Sequence, residues 1–170
     1  MPFEHLRISC EQRKIPLISR ETQEFLSQLL IEKKPHNILE IGSAVGYSTI
    51  WIAQIVSQRG GHISSFEISY PAYLEALKNL QKNQVRNAVI YPFDFKEIKL
   101  ENFFSENFDF VFIDAQKSEY GRYMEEIQGV LKTENTIILD DVIKYQNKLS
   151  SLYSFLAKNQ VNYEILAMEE

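Results

Sequence analysis

The stretch "NILEIGSAVGYSTIWIAQIV", residues 37–56, passes from a short apolar run through a glycine-containing turn into residues at helical spacing. The run "NILEI" (37–41) is typical of a buried strand, whereas Ile50, Trp51 and Val56 mark one side of a helix. Glycines allow the chain to bend sharply between the two and allow a ligand to approach the backbone closely. This unit therefore predicts a strand–turn–helix element with a candidate ligand site at its turn.

Strand and helix patterns alternate along the rest of the chain. Further strands are predicted at residues 62–68, 88–92, 108–114, 136–142 and 163–168. Strands that alternate with helices pair in parallel through right-handed crossovers. The sequence therefore predicts an α/β fold, a Rossmann-like three-layer sandwich around a mostly parallel sheet of six strands.

The length of 170 residues, of which 45% are hydrophobic, suits one domain over residues 1–170. The first 18 residues are expected to form an irregular N-terminal arm. Ser19 is a candidate cap for a leading helix over residues 19–34, which stops near Pro35. The chain shows no internal repeat and no linker-like composition, so a single folding unit is predicted.

Charge and cysteine content narrow the functional classes. The formal net charge is -5, and the basic residues are scattered, which disfavours a phosphate-binding surface for nucleic acid. The lone Cys10 excludes an internal disulfide and a thiolate metal cluster, as is usual in a reducing compartment. With no signal-like N-terminus and no run of ~18 apolar residues, we expect a cytoplasmic protein with no membrane partner.

Ligands of such sheets gather outside the carboxyl ends of the strands. The residues that follow the predicted strands are a glycine loop and a series of acids: Gly42 to Gly46, Glu67, Asp94, Asp114, and Asp140 with Asp141. Four of these five strand ends carry a carboxylate, so the chemistry of the protein is expected at this edge.

The glycine loop favours a nucleoside cofactor. Its E-x-G-x-x-x-G spacing, from Glu40 to Gly46, lacks the middle glycine of a dinucleotide site and fits sites for S-adenosylmethionine. Glu67 is suited to accept both ribose hydroxyls, and Asp94 to accept from the adenine amino group. Taken singly, these residues also suit an ordinary βα turn, a solvated loop acid and an Asx turn. Their conjunction favours the cofactor.

Three acids predict a metal site. If the strands that end at Asp114 and at Asp140 are neighbours, these carboxylates and that of Asp141 converge, and a cation must balance them. Oxygen ligands suit Mg²⁺ or another hard divalent cation, and the absence of Cys and His at these strand ends argues against zinc. The alternative is an ion pair between Asp114 and Lys117 beside two turn acids.

The segments "ILEIGSAVGYS", "FEIS", "FDFVFIDAQKSEYGRY" and "IILDDV" resemble the cation-dependent O-methyltransferases, the group that contains catechol and caffeoyl-coenzyme A O-methyltransferases. The resemblance covers roughly residues 15–145. It implies a class I methyltransferase fold with a seventh, antiparallel strand, which is expected to be missing here. It also implies metal ligands at Asp114, Asp140 and Asp141, with Lys117 as general base if burial and the metal's charge lower its pKa.

The same resemblance implies a cofactor site and a reaction. The residues expected to bind S-adenosylmethionine are Glu40, Gly42, Ser43, Gly46, Tyr47, Ser48, Glu67, Asp94 and Asp114. The implied reaction transfers a methyl group to a hydroxyl of a small catechol-like or phenolic acceptor. Two alternatives stay open: methylation of a hydroxylated wobble uridine in tRNA, and a non-catalytic S-adenosylmethionine-binding or interaction module.

Two features depart from the family pattern. The family's acid pair is usually Asp-Asn, whereas this chain has Asp141 as the second member, which adds one negative charge. The chain also reaches its last residue soon after the sixth predicted strand, without the turn into a seventh. An exposed sheet edge favours association, so a homodimer is expected.

Overall fold

The computed structural model describes residues 3–105 and 107–168, without the side chain of Lys96. Residues 1, 2, 106, 169 and 170 of the predicted domain lie outside the described part. The strands are β1 (Asn37–Ile41), β2 (His62–Phe66), β3 (Ala88–Tyr91), β4 (Phe108–Ile113) and β5 (Leu131–Leu139). The helices are α1 (Glu4–Gln12), α2 (Arg20–Lys33), α3 (Tyr47–Ser57), α4 (Tyr70–Lys82), α5 (Leu100–Phe103), α6 (Tyr120–Ile127) and α7 (Ser150–Lys158).

The five strands form one parallel sheet in the order β3-β2-β1-β4-β5. Ile41 at the end of β1 pairs in register with Phe66 of β2 and with Ile113 of β4, and Ile113 pairs with Leu139 of β5. The next residue along each of these strands therefore emerges at one level of the same edge. The predicted Rossmann-like α/β fold is confirmed.

The sheet separates two apolar cores. Alternate strand residues such as Ile38 and Phe110 pack with α1, α2, α3 and α4 on one face. Their neighbours Leu39 and Val111 pack with α5, α6 and α7 on the other. Strands covered on both faces read as continuous apolar runs, which explains the sequence of β4. No helix of the described residues has the length and apolarity that a membrane span requires.

The leading helix forms as predicted. The Ser19 hydroxyl accepts a hydrogen bond from the Thr22 amide at 3.0 Å, which caps α2. The helix ends at Lys34, whose φ of 53° is left-handed, directly before Pro35. Pro35 disfavours helical geometry at the preceding residue, so the end of α2 is encoded locally.

The N-terminal arm is helical rather than irregular, which corrects the sequence-based prediction. Helix α1 buries Leu6 and Cys10, and Phe3 just before it is buried too, in the core that also contains α3. These apolar residues are few, and the remaining apolar residue of the helix, Ile8, is exposed, so local periodicity is weak. The tertiary contacts stabilise this helix.

The predicted sixth strand at residues 163–168 is also wrong. The segment has no regular secondary structure, and the side chains of Tyr163, Ile165 and Leu166 are exposed. A strand is stable only when its backbone pairs with a neighbour, and this segment pairs with none of the five strands that the structure describes. Strand-like composition alone did not determine the structure here.

Gly42 is expected to tolerate no side chain. Its φ is 97°, and a Cβ there would lie 2.2 Å from the carbonyl oxygen of Asp114. The Gly42→Ala variant should lose about 2 to 5 kcal/mol of unfolding free energy, from left-handed strain plus steric overlap. Gly60→Ala is the matched control, because Gly60 has a φ of 72° but open space around its Cβ position. Urea denaturation of both variants would show the difference, and equal losses would contradict the role of the overlap.

Candidate active site

The three predicted metal ligands lie together. Carboxylate oxygens of Asp114, Asp140 and Asp141 all fall within 4.8 Å of one another. The backbone places two of them, because the Asp114 amide donates to the Ile41 carbonyl and the Asp140 amide to the Ile113 carbonyl, each at 3.0 Å. These bonds continue the sheet by one residue. The convergence that the sequence predicted on the condition of neighbouring strands is therefore observed.

Lys117 supplies the positive charge within this cluster. Its Nζ donates to Asp114 Oδ1 at 2.7 Å and to the Tyr120 hydroxyl at 2.9 Å, and it lies 3.4 Å from Asp141 Oδ2. Burial by itself would lower the pKa of Lys117, but the charge of Asp114 and the hydrogen bonds raise that pKa above its ordinary value. Burial therefore does not produce the depressed pKa that was expected of a general base.

Tyr120 supports Lys117 from the protein interior. Its side chain is fully buried, and its hydroxyl lies 3.1 Å from the Ile113 carbonyl and 3.2 Å from the Asp140 carbonyl. Burial raises the pKa of this phenol, so it stays protonated. The sequence alone indicates no role for Tyr120. Its position three residues after Lys117, at the start of α6, was the available signal.

Within this cluster, the pKa of Asp140 is raised. Burial, followed by the negative charges of Asp114 and Asp141, raises the pKa of Asp140 to about 6. Asp141 itself has a φ of 60°, a left-handed conformation that Asn and Asp adopt more readily than other non-glycine residues. The backbone thus accommodates either an acid or an amide at this position.

The glycine loop crosses the end of β2 before it enters α3. The amides of Gly42 and Ser43 both donate to the Phe66 carbonyl, at 2.9 and 3.2 Å. Gly46, with a φ of 83°, precedes the first residue of α3. The first turn of a helix has N–H groups without partners inside the helix, which can receive an anionic group such as a carboxylate.

Glu67 holds this loop in place. Its Oε2 accepts from the Ala44 amide at 2.8 Å, and its Oε1 accepts from the Ser69 amide at 2.7 Å. Glu67 thus has a structural role in addition to the contact with a ribose that was predicted for it. Each carboxylate oxygen has a second lone pair, so the capacity to accept from hydroxyls is retained.

Glu40 and Ser43 provide buried polar atoms without partners. Glu40 is fully buried, and its Oε2 accepts from the hydroxyls of Thr49 and Ser65. Burial raises the pKa of Glu40, and hydrogen bonds from hydroxyl groups offset part of that rise. Glu40 Oε1 and Ser43 Oγ have no hydrogen-bond partner among the described residues. A ligand with an ammonium group and hydroxyls fits these atoms.

The remaining predicted cofactor residues differ in position. Ser48 is half-buried in the first turn of α3. The Tyr47 side chain turns away from the loop, toward α1 and α2, where its hydroxyl meets Arg7 and Gln23. Asp94 follows the outer strand β3, and its carbonyl accepts from the Glu97 amide at 2.9 Å. The glycine loop, Glu40 and Glu67 thus lie together, whereas the Tyr47 side chain points away from them and Asp94 follows the outer strand.

The Asp140→Asn variant should be more stable than the wild type at neutral pH in EDTA. A carboxyl whose pKa is raised in the folded state stabilises the fold below pH 4 and loses that contribution as pH rises through about 6. The variant should therefore match the wild type near pH 4 and exceed its Tm by roughly 2 to 4 °C at pH 8. Glu125→Gln, at an exposed position of α6, should show a flat difference across the series. A flat difference for Asp140→Asn would contradict the electrostatic explanation.

Comparison with known proteins points to one family. The family model described as O-methyltransferase matches residues 4–161. The catechol O-methyltransferase of Niastella koreensis is 29% identical over 131 residues, which cover 75% of this chain and 58% of that protein. The caffeoyl-CoA O-methyltransferase of Populus kitakamiensis is 30% identical over 126 residues, covering 71% and 53%. The chain thus spans little more than half the length of these relatives.

Solved structures show the same fold. An O-methyltransferase from Bacillus cereus, crystallised in complex with SAH, superposes with a TM-score of 0.79 at 27% identity. The match covers 92% of this chain and 77% of that one. Together with the family match over nearly the whole sequence, these findings show that the chain belongs to the O-methyltransferase family.

Proposed function

We propose that this protein transfers a methyl group from S-adenosylmethionine to a hydroxyl of a small catechol-like or phenolic acceptor, with the help of a divalent cation. The observation that carries the proposal is the cluster of Asp114, Asp140, Asp141 and Lys117 beside the glycine loop. The names of the relatives, catechol and caffeoyl-CoA O-methyltransferase, support an aromatic acceptor. The SAH in the Bacillus cereus structure supports the cofactor.

The proposed cofactor site uses the loop and its surroundings. Gly42 lets the loop pack against the backbone of Asp114 and Gly46 lets it pack against α4, while Ser43, Ser48 and the first turn of α3 take the carboxylate. Glu40 Oε1 and Asp114 take the ammonium group. Glu67 accepts from the ribose hydroxyls, Asp94 from the adenine amino group, and Tyr47 contributes through its backbone. When bound, S-adenosylmethionine supplies an electrophilic methyl group.

The proposed metal ligands are Asp114, Asp140 and Asp141. Their oxygens form a hard donor set that suits Mg²⁺ or a related cation. When bound, a divalent cation supplies positive charge that favours ionisation of an acceptor hydroxyl near neutral pH. The raised pKa of Asp140, caused by burial and by its acidic neighbours, is the signature of a cluster with an excess of negative charge.

Lys117 is the proposed general base. Its Nζ lies beside two of the three acids and is largely shielded from solvent, so it stands where an acceptor hydroxyl held near those acids would lie. Asp114 stabilises the protonated form of Lys117, and Nζ can act as a base only after it has lost a proton. Loss of that proton becomes easier when positive charge beside Asp114 and Asp141 lowers the pKa of Lys117. Tyr120 keeps Nζ oriented throughout.

Two other functions make different predictions. A tRNA methyltransferase would modify bulk tRNA and leave catechols unchanged, and a binding module would bind the cofactor without transfer. The acidic charge balance favours the small acceptor over tRNA. The cytoplasmic location and the homodimer that the sequence suggested stay predictions, and light scattering of the purified protein would measure its oligomeric state.

A survey with labelled S-adenosylmethionine over catechol, phenol and tRNA should show methylation of catechol that disappears in EDTA. The Lys117→Ala variant should lose roughly 10²- to 10⁴-fold in kcat, because a positioned base contributes that much. Lys158→Ala, at an exposed position of α7, should retain full activity. Methylation of tRNA alone, or cofactor binding without any transfer, would favour one of the alternatives.

Activity should respond differently to replacement of Asp114 and of Asp141 by Asn. Asp141→Asn should retain cation-dependent activity, because its oxygen remains available and the family pattern has Asn there. Asp114→Asn should lose most activity, because it removes the negative charge that pairs with Lys117 and that would face the cation. Binding of Mn²⁺, measured by electron paramagnetic resonance, should weaken more in Asp114→Asn than in Asp141→Asn. Equal losses in both variants would overturn these assignments.

A further inference from the structure

Arg7 is a buried cation outside the site described above. Its guanidinium donates from Nε to the Tyr47 hydroxyl at 2.9 Å, and from Nη2 to Gln23 Oε1 at 2.8 Å and to the Ile18 carbonyl at 3.1 Å. The residue is 4% exposed. A charge is expensive to bury, and removal of its partners leaves it uncompensated. These contacts therefore require one particular position of α1 against α2 and α3.

One partner of this cation is Tyr47, the residue that begins α3, and the Glu11 carboxylate of α1 lies 3.7 Å from its Nη1. The Arg7 guanidinium carbon lies 4.8 Å from the centre of the Tyr47 ring, in cation–π geometry, and Phe3 contacts the same ring edge-on at 5.8 Å. The Tyr47 hydroxyl also lies 2.7 Å from Gln23 Oε1. Tyr47 directly follows Gly46, so these contacts anchor the first turn of α3, where the glycine loop ends.

Helix α1 depends on its tertiary contacts. It has nine residues, and an isolated helix of that length is marginal in water. Its main apolar contributions are Leu6 and Cys10, with Phe3 beside it. The buried side chains of Leu6, Arg7 and Cys10 therefore carry much of the stability of α1, and an interaction that strengthens these contacts favours the docked helix.

We propose that Arg7 is a positioning residue that latches α1 onto Tyr47, so that docking of α1 and binding of the cofactor at the first turn of α3 favour each other. The inference rests on the proposed cofactor site. A coupling between two such events is reciprocal: if the docked helix strengthens cofactor binding, the bound cofactor stabilises the docked helix by the same factor.

Arg13 provides a matched control on the same arm. It lies one residue beyond α1 and pairs with Glu75 of α4 through both terminal nitrogens of its guanidinium, with Nη2 at 2.8 Å from Glu75 Oε2. This pair is exposed and holds the arm to α4 rather than to α3. Loss of this exposed pair removes little stability from the arm and leaves the contacts of Tyr47 in place.

The test compares SAH binding by isothermal titration calorimetry in the wild type, Arg7→Met, Arg7→Lys, Tyr47→Phe and Arg13→Met, with Tm measured for each. Arg7→Met should weaken SAH binding about 5- to 50-fold, within the range of such couplings. Arg7→Lys should restore part of this loss, and Tyr47→Phe, which retains the ring, should weaken binding about 3- to 10-fold. Arg13→Met should stay within about 2-fold of the wild type.

Hydrogen exchange supplies the reciprocal measurement. SAH should slow amide exchange over residues 4–12 in the wild type and should have a much smaller effect in Tyr47→Phe, a mild change that keeps the test valid if Arg7→Met fails to fold. Unchanged SAH affinity in Arg7→Met and Tyr47→Phe, with only a lower Tm, would overturn the latch while leaving the proposed function intact. Absence of SAH binding by the wild type would overturn the proposed cofactor site and the latch together.

Discussion

The close approach of Gly42 to the carbonyl of Asp114 is the constraint on which the rest of the site depends. A Cβ at Gly42 would lie 2.2 Å from that oxygen, so the loop after β1 and the end of β4 meet backbone to backbone. The strand register brings Glu67 and Asp140 to the same level of the sheet edge. One contact between neighbouring strands thus places the glycine loop against the acid cluster.

Charge balance is the second organising feature. Three carboxylates share a small volume with one ammonium group, that of Lys117, and the pKa of Asp140 is raised to about 6 as a consequence of its burial and its acidic neighbours. Such an arrangement is costly unless further positive charge enters. The same cost makes the cluster a good ligand for a hard cation, since the binding of that cation relieves the repulsion.

Polar contacts at a distance from this edge support it. Glu67 accepts from the Ala44 amide of the glycine loop and from the Ser69 amide before α4, and the Arg7 network contacts Tyr47 in the first turn of α3. The glycine loop is therefore held at its middle and where it enters α3. Positions that must be accurate for group transfer are commonly supported in this way, by residues whose own geometry is constrained.

The sequence by itself determined the parallel α/β sheet, the cap at Ser19, the glycine loop and the acids at the strand ends, because these features follow from local periodicity and from single residues. Only the tertiary structure decided the helical form of the arm, the absence of a strand at residues 163–168 and the inward turn of Tyr47, because each depends on a distant partner. The roles of Tyr120 and Arg7 belong to this second group, since a hydroxyl or guanidinium shows its function only when its neighbours are known. The direction of the Lys117 pKa shift likewise required the structure. Burial lowers this pKa and the charge of Asp114 raises it, and the short distance between Nζ and the Asp114 carboxylate decides which effect is larger.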